Sequence, residues 1–284
     1  MNKIIKAAKI TAGVVGDPVS HSLSPKLHGF WLKKYHINGD YKAFHVEDSQ
    51  LEDFIKNLKK NNIKGINLTV PHKEKALRFM DNLEKTAQKI GAVNTVSFND
   101  QGQLVGSNTD GYGFLKHLKQ SVKNWSSENC TALIIGAGGA ARAIASSLLD
   151  DGVRELGLCN RTPERAEKLA QQLNDKRVKL ISWPDRAEAL SGVDLLVNST
   201  VLGMTGQATL ELELTGLDKS AVVYDIVYNP LQTKLLSCAA ERGNITVDGL
   251  GMLLHQAVPG FKAWFGVEPE VGQDLRDYLL QELS

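Results

Sequence analysis

Thr131-Ala132-Leu133-Ile134-Ile135-Gly136-Ala137-Gly138-Gly139-Ala140-Ala141-Arg142 decides the fold. Apolar residues run straight into two glycines spaced G-x-G, Ala141 takes the third small-residue place, and an alanine-rich helical pattern continues to Asp150. Strand, turn and helix in that order are the context a dinucleotide fingerprint requires. Gly136 turns the chain out of a buried strand, Gly138 lets backbone approach a pyrophosphate, and Ala141 lets helix and strand close up. Free N–H groups and the positive dipole end at the helix start suit phosphates. A glycine-rich turn between any strand and helix is the competing reading, and the ordered context weighs against it.

The next strand is expected over residues 153–159 and ends about twenty residues after the glycines, where an NAD-binding fold carries an acid for the ribose 2′-hydroxyl. Here the chain reads Asn160-Arg161-Thr162-Pro163-Glu164-Arg165. Two guanidiniums in place of an acid favour a 2′-phosphate, and hence NADP over NAD, because the rigid donor fork of Arg matches phosphate oxygens. Otherwise Arg161 and Arg165 are solvated charges opening the helix of residues 163–173, where basic residues oppose the dipole unless an anion is present.

The chain has 284 residues, 42% hydrophobic and 23% charged, which is globular in composition and long enough for two domains. A formal net charge of +1 offers no stripe of positive charge for nucleic acid. Cys130, Cys159 and Cys238 form no C-x-x-C and read as reduced, buried thiols. No apolar run approaches the roughly 18 residues of a membrane span, and no charged-then-apolar leader is seen, so the cytoplasm is the expected compartment.

Before the fingerprint, strands are expected over residues 10–15, 41–46 and 65–70, with helices from Ser24-Pro25 and over residues 50–60. Alternation of strand and helix implies a parallel sheet. Ser24 reads as a helix cap followed by proline, and Ser22 and Ser24 either hold a small ligand or merely cap. Asn67, Thr69 and Lys73 fall at the carboxyl end of the third strand, where ligands of open α/β sheets gather, although a lysine there is as often solvated. Residues 91–98 and 103–106 read as two strands joined by the turn Asn99-Asp100-Gln101-Gly102. Asp110 opens a helix of residues 111–122 and can be simply its N-cap. After the fingerprint, strands are expected near residues 178–182, 193–200, 221–227 and 245–247, the middle pair as near-continuous apolar runs. Helices from Gly249 and over residues 271–280 then return to the first domain.

Several separated motifs together resemble the shikimate dehydrogenase family: Gly16-Asp17-Pro18-Val19-Ser20-His21-Ser22-Leu23-Ser24-Pro25, Asn67-Leu68-Thr69-Val70-Pro71-His72-Lys73, Gly91-Ala92-Val93-Asn94-Thr95, Asn108-Thr109-Asp110-Gly111, the glycine fingerprint, Asn160-Arg161-Thr162, Tyr228-Asn229-Pro230 and Gly249-Leu250-Gly251-Met252-Leu253 leading to Gln256. The resemblance spans the chain. It implies an α/β fold with a mixed N-terminal substrate domain over residues 1–113, completed by 249–284, and a Rossmann-type NADP domain over 114–248. The implied activity is NADPH-dependent reduction of 3-dehydroshikimate to shikimate, in the pathway to chorismate and the aromatic amino acids. Gly29 departs from the pattern, since many members carry Asn after the equivalent of His28.

The resemblance also implies residue roles. Lys73 and Asp110 are the catalytic pair, the ammonium stabilising the oxygen that becomes negative as hydride reaches the ketone and the carboxylate orienting it. Ser22, Ser24, Thr69, Asn94, Tyr228 and Gln256 join them around the substrate, the two serines as neutral donors to its carboxylate. Gly136, Ala137, Gly138, Gly139, Ala140, Asn160, Arg161, Thr162, Arg165 and Thr200 hold the cofactor, with Ile226, Gly249 and Met252 at the nicotinamide. No metal is needed, because the cofactor supplies the reducing power. The seven histidines form no ligand cluster, and His72 and His255 read as packing or solvated residues. The expected partner is a small molecule, with neither nucleic acid nor membrane, for a monomer or homodimer. Alternatives are a quinate/shikimate dehydrogenase using NAD, which Arg161 and Arg165 oppose, and a silent NADP-binding sensor, which Lys73 and Asp110 oppose.

Overall fold

The computed structural model describes residues 9–283; residues 1–8 and 284, which the sequence reading places in the first domain, lie outside the described residues. Contacts divide the chain into one unit of residues 9–109 with 256–282 and another of residues 110–255.

The first unit runs β1 (Ile10–Gly16), α1 (Ser24–Lys34), β2 (Gly39–His45), α2 (Leu51–Lys56), β3 (Ile63–Leu68), β4 (Asn82–Leu83), α3 (Lys85–Ile90), β5 (Thr95–Phe98) and β6 (Leu104–Ser107). Its sheet has the order β2-β1-β3-β5-β6-β4. β1 pairs parallel with β2 and β3, as strand–helix alternation requires, but β5 pairs antiparallel with β3 and β6 and makes the sheet mixed. The expected hairpin turn is present, with the Asn99 side chain accepting from Gln101 N (3.1 Å) and Gln103 N (2.9 Å). The helix expected over residues 50–60 is shorter, because Asn57 caps its end by donating from Nδ2 to Asp53 O at 2.7 Å. Ser24 is the first residue inside α1 and not its cap; the Ser22 hydroxyl oxygen instead accepts from Ser24 N at 3.3 Å.

The second unit runs α4 (Asp110–Ser121), β7 (Thr131–Ile135), α5 (Gly139–Asp150), β8 (Glu155–Cys159), α6 (Pro163–Leu173), β9 (Val178–Ile181), β10 (Leu195–Asn198), β11 (Val222–Asp225), α7 (Lys234–Arg242), β12 (Ile245–Val247) and the start of α8 (Leu250–Phe265). All strand pairs in the order β12-β11-β10-β7-β8-β9 are parallel, the doubly wound order with its switch point between β7 and β10. Strand residues alternate between two cores: Ala132, Ile134, Val197 and Tyr224 enter one, Leu133, Ile135, Leu196 and Val223 the other. A sheet covered on both faces explains the apolar runs.

The division falls at Thr109/Asp110 and His255/Gln256, earlier than 113/114 and later than 248/249. Phe114 and Leu118 of α4 and Met252 of α8 lie in the core of Ile134 and Tyr224, which draws both segments into the second unit. The later part of α8 and α9 (Gln273–Gln281) belong to the first unit. There Phe261 and Trp264 surround His28 with Trp31 and Tyr41, and Trp264 donates to Val96 O at 3.0 Å.

Candidate active site

In the first unit, polar side chains gather around Asn67, near the carboxyl end of β3. The Tyr41 hydroxyl donates to Asn67 Oδ1 (2.6 Å), Asn67 Nδ2 donates to Thr95 Oγ1 (3.0 Å) and to Asn94 O (3.1 Å), and Asn94 Nδ2 donates to Thr109 Oγ1 (3.0 Å). Thr109 N returns a bond to Asn94 Oδ1 (2.9 Å), and its hydroxyl donates to Gln256 O (2.8 Å). All five side chains are buried. Burial pushes the Tyr41 phenol well above its ordinary pKa, while a hydrogen bond with Ser24 works in the other direction. Because Tyr41 gives its one proton to Asn67, Ser24 must be the donor in that bond.

Lys73 lies in the turn after β3, half-buried, with its carbonyl accepting from Val93 N at 2.7 Å, which ties that turn to the chain leading into Asn94. Thr69 is half-buried just past β3, and its N–H donates to Val15 O at 2.9 Å. Next to Lys73, His72 is fully buried, its Nε2 donating to Val46 O at 2.7 Å and its Nδ1 buried without a hydrogen-bond partner. At Gly29 a Cβ would meet nothing within 4 Å, so this departure from the family pattern disturbs no neighbour. The structure thus brings Ser24, Asn94 and Gln256 into one hydrogen-bonded cluster through residues the sequence reading missed, Tyr41, Thr95 and Thr109.

In the second unit, Gly136 has φ +121°, and a Cβ there would sit 2.4 Å from Ser199 Oγ, whose hydroxyl donates to Ile135 O at 2.8 Å. Only glycine turns the chain this close to the neighbouring strand end. Gly138 is the extended N-cap of α5 with no side-chain cap, and no acidic residue occupies the first turn, so its N–H groups are left for an anion. Ala141 is fully buried in the core beneath, as close helix–strand packing demands. Across the switch point, Asn198 Oδ1 accepts from Thr200 N (3.1 Å) and Thr200 Oγ1 (2.8 Å). Asn198 Nδ2 donates to Asp225 Oδ1 (3.0 Å), a buried carboxylate that also accepts from Val227 N (3.0 Å) and Thr233 Oγ1 (2.7 Å). Burial raises the Asp225 pKa, and these three donors oppose that rise. Asp225 is another residue missed in the sequence, although an acid ending an apolar strand is a signal that it has partners.

Ile226, Gly249 and Met252 come together. A Cβ on Gly249 would lie 2.0 Å from Ile226 O, so glycine is what lets the start of α8 lie against the end of β11, and Ile226 packs on the core holding Met252. Tyr228, half-buried, follows β11, and burial raises its pKa. Asn160, Arg161, Thr162 and Arg165 sit at the end of β8 and the start of α6; Asn160 Nδ2 donates to Thr162 O (2.8 Å), and Arg161 and Arg165 are exposed. Thr162 is the N-cap of α6 without a side-chain bond, Glu164 stands in the first turn, and Arg165 N donates to Thr162 O at 3.2 Å. Asp110, buried, is the first residue of α4 and belongs to a different unit from Lys73. Among the described residues no group of three His, Cys, Asp or Glu is placed to hold a metal ion, and no helix is long and apolar enough to cross a membrane.

Comparisons with known proteins agree along the chain. Residues 14–96 match the shikimate dehydrogenase substrate binding domain, 117–223 the shikimate / quinate 5-dehydrogenase family and 249–275 the shikimate 5′-dehydrogenase C-terminal domain. The chain is 52% identical to shikimate dehydrogenase (NADP(+)) of Paramagnetospirillum magneticum over 95% of its length and 97% of that protein's. It is 50% identical to the Rhodospirillum rubrum protein of the same name, over 95% and 96%. The structure of Thermus thermophilus shikimate 5-dehydrogenase in complex with NADP(H) and shikimate superposes with a TM-score of 0.84 at 34% identity, covering 96% of this chain and 99% of that one. With its matched segments lying in the order of the motifs, the chain belongs to the shikimate dehydrogenase family.

Proposed function

We propose that this chain catalyses the reversible, NADP-dependent interconversion of 3-dehydroshikimate and shikimate, with Lys73 and Asp110 as its catalytic residues. The observation that carries the reading is the joint presence of a buried amide–hydroxyl cluster holding Asn94 and an uncapped glycine loop followed by Arg161 and Arg165 where an NAD-binding fold places an acid. Bound NADPH supplies the hydride. The Lys73 ammonium stabilises charge growing on the substrate oxygen and gives it a proton; Asp110 accepts from a substrate hydroxyl. Ser22, Ser24, Thr69, Asn94, Tyr228 and Gln256 bind the rest of the substrate. Backbone N–H groups of residues 136–140 hold the pyrophosphate, Asn160, Arg161, Thr162 and Arg165 the 2′-phosphate, and Thr200, Ile226, Gly249 and Met252 the nicotinamide end.

The first unit is then the substrate domain and the second the cofactor domain. The protein works as a monomer or homodimer on a small molecule, without nucleic acid or membrane, in a reducing cytoplasm. Three free cysteines support that setting, with burial pushing the Cys130 and Cys159 thiols up to about 12 and about 11, where they stay protonated and unreactive. The test is oxidation of shikimate by NADP+ with the purified full chain, followed by the absorbance of reduced nicotinamide. Turnover on the order of 1 to 1,000 per second is expected; absence of turnover with shikimate contradicts the reading.

A further inference from the structure

Asp225 ends β11 as a fully buried carboxylate, and each of its hydrogen-bond partners is a donor. Val227 N and Asn198 Nδ2 each lie 3.0 Å from its Oδ1, and Thr233 Oγ1 lies 2.7 Å from its Oδ2. Thr233 Oγ1 already accepts from Leu236 N at 3.3 Å, which leaves its proton for the carboxylate. An asparagine amide can present either end to a neighbour, and partners that only donate or only accept decide which. Thr200 N can only donate and lies 3.1 Å from Asn198 Oδ1, so the Asn198 NH2 faces Asp225 and, at 3.1 Å, Leu202 O. The Thr200 hydroxyl donates to the same Asn198 oxygen at 2.8 Å and accepts from Leu202 N at 3.0 Å, which closes the turn of residues 198–202 around Asn198. On the other side of Asp225, Val227 O accepts from Gly249 N at 3.2 Å.

Burying a carboxylate costs free energy that Val222 and Val223, earlier in the same strand, avoid, and none of the partners of Asp225 is charged. What the acid adds is a fixed pair of acceptors between two chain segments. We propose that Asp225 is a positioning residue for the nicotinamide end of the cofactor site: acting through Asn198 and Val227, it fixes the turn that carries Thr200 and the approach of Gly249 to Ile226, without touching cofactor. Its bonds stay on β10, β11, the start of α7 and the chain entering α8, whereas the glycine turn and the two arginines follow β7 and β8. Loss of the carboxylate therefore weakens the nicotinamide half of the site and spares the adenosine half. A purely structural role would lower stability and weaken both halves alike. The inference rests on the cofactor placement proposed above.

The deciding variant is Asp225→Asn, which keeps the shape but turns an NH2 toward one of the donors. Thr233→Val removes one donor, and Thr233→Ser keeps it. The full-length variants are titrated with NADP+ and with adenosine 2′,5′-bisphosphate, which has the adenosine half and its 2′-phosphate but no nicotinamide. Asp225→Asn is expected to raise Kd for NADP+ roughly tenfold while Kd for the bisphosphate stays within about twofold of wild type. Thr233→Val is expected to move in the same direction with the same selectivity, and Thr233→Ser to stay within about twofold for both ligands. If Asp225→Asn does not fold, Thr233→Val decides by the same criterion. A folded Asp225→Asn protein with unchanged Kd for NADP+, equal weakening of both ligands, or a Thr233→Ser protein as impaired as Thr233→Val would overturn the inference while leaving the activity intact. A wild-type protein that binds neither ligand would overturn the cofactor placement as well.

Discussion

Lys73 carries the sharpest expectation for a single side chain. Lys73→Ala should lower kcat by about two to four orders of magnitude while substrate binding weakens far less, and steady-state kinetics with shikimate check it; a kcat within about tenfold of wild type contradicts the role. Ser22→Ala and Ser24→Ala should each raise KM for shikimate by an amount worth about 1 to 3 kcal/mol. Ser24→Ala should lower Tm as well, because the buried Tyr41 hydroxyl loses its donor. If thermal melts move and KM does not, the serines serve only the helix start. The roles proposed for Lys73 and Asp110 rest on the family motifs, since a lysine after a strand and an aspartate opening a helix have ordinary explanations. Thr95 and Thr109 stand in the quoted motifs without a role of their own, and Tyr41 and Asp225 read only as strand residues. Their significance lies in partners far away in sequence, such as Asn67 26 residues beyond Tyr41, and no local pattern encodes those.

Short elements behave differently from single residues, because local periodicity speaks for them. Helix α6 over residues 163–173 and β12 over residues 245–247 fall where the pattern puts them. β4 has two residues and α3 six, too few to show a period, and they pass unread. Helix α7 also goes unread, although Thr233 accepts from Leu236 N at 3.3 Å as its cap and Gly243 ends it in the left-handed region. A reading led by strands misses such caps. Two predictions belong to the turns that end strands. Gly136→Ala forces a side chain into φ +121° and against Ser199, and should cost about 1 to 3 kcal/mol of stability and weaken NADP+ binding; thermal melts and cofactor titration check this, and an unchanged Kd contradicts it. Replacing Arg161 and Arg165 with alanine should cost about 1.5 to 3 kcal/mol of NADP+ binding per lost charged hydrogen bond, with little change for NAD+. The difference should shrink as salt screens these exposed groups. Equal losses for both cofactors would mean that the arginines shape the turn and do not read a phosphate.

At the scale of the molecule, the two-unit plan was legible from the fingerprint and the change of pattern around it, but the exact division was not. It depends on which core receives Phe114, Leu118 and Met252, a matter of packing that sequence order conceals. Packing also predicts how the fold responds to acid. His28 is fully buried among aromatic rings, 3.8 Å from the Tyr41 ring, and burial lowers its pKa from 6.5 to about 3. Below pH 6.5 the unfolded chain binds a proton that the folded chain refuses, so stability present in full above that pH is lost as pH falls toward about 3. The loss is about 1.4 kcal/mol per pH unit for this one group. His255, lowered to about 4, first by burial and then by the nearby His117 and Lys116, acts with the same sign. Urea unfolding of wild type and His28→Phe between about pH 7 and pH 5 should show a shallower slope in the variant; identical slopes contradict the buried neutral imidazole. The central claim, an enzyme specific for shikimate and NADP, is tested most directly by one set of kcat/KM values for the full chain with shikimate or quinate and NADP+ or NAD+. With shikimate, NADP+ is predicted to exceed NAD+ by at least about tenfold, the effect of a single lost charged hydrogen bond. An equal or greater value with NAD+, or with quinate, would contradict it.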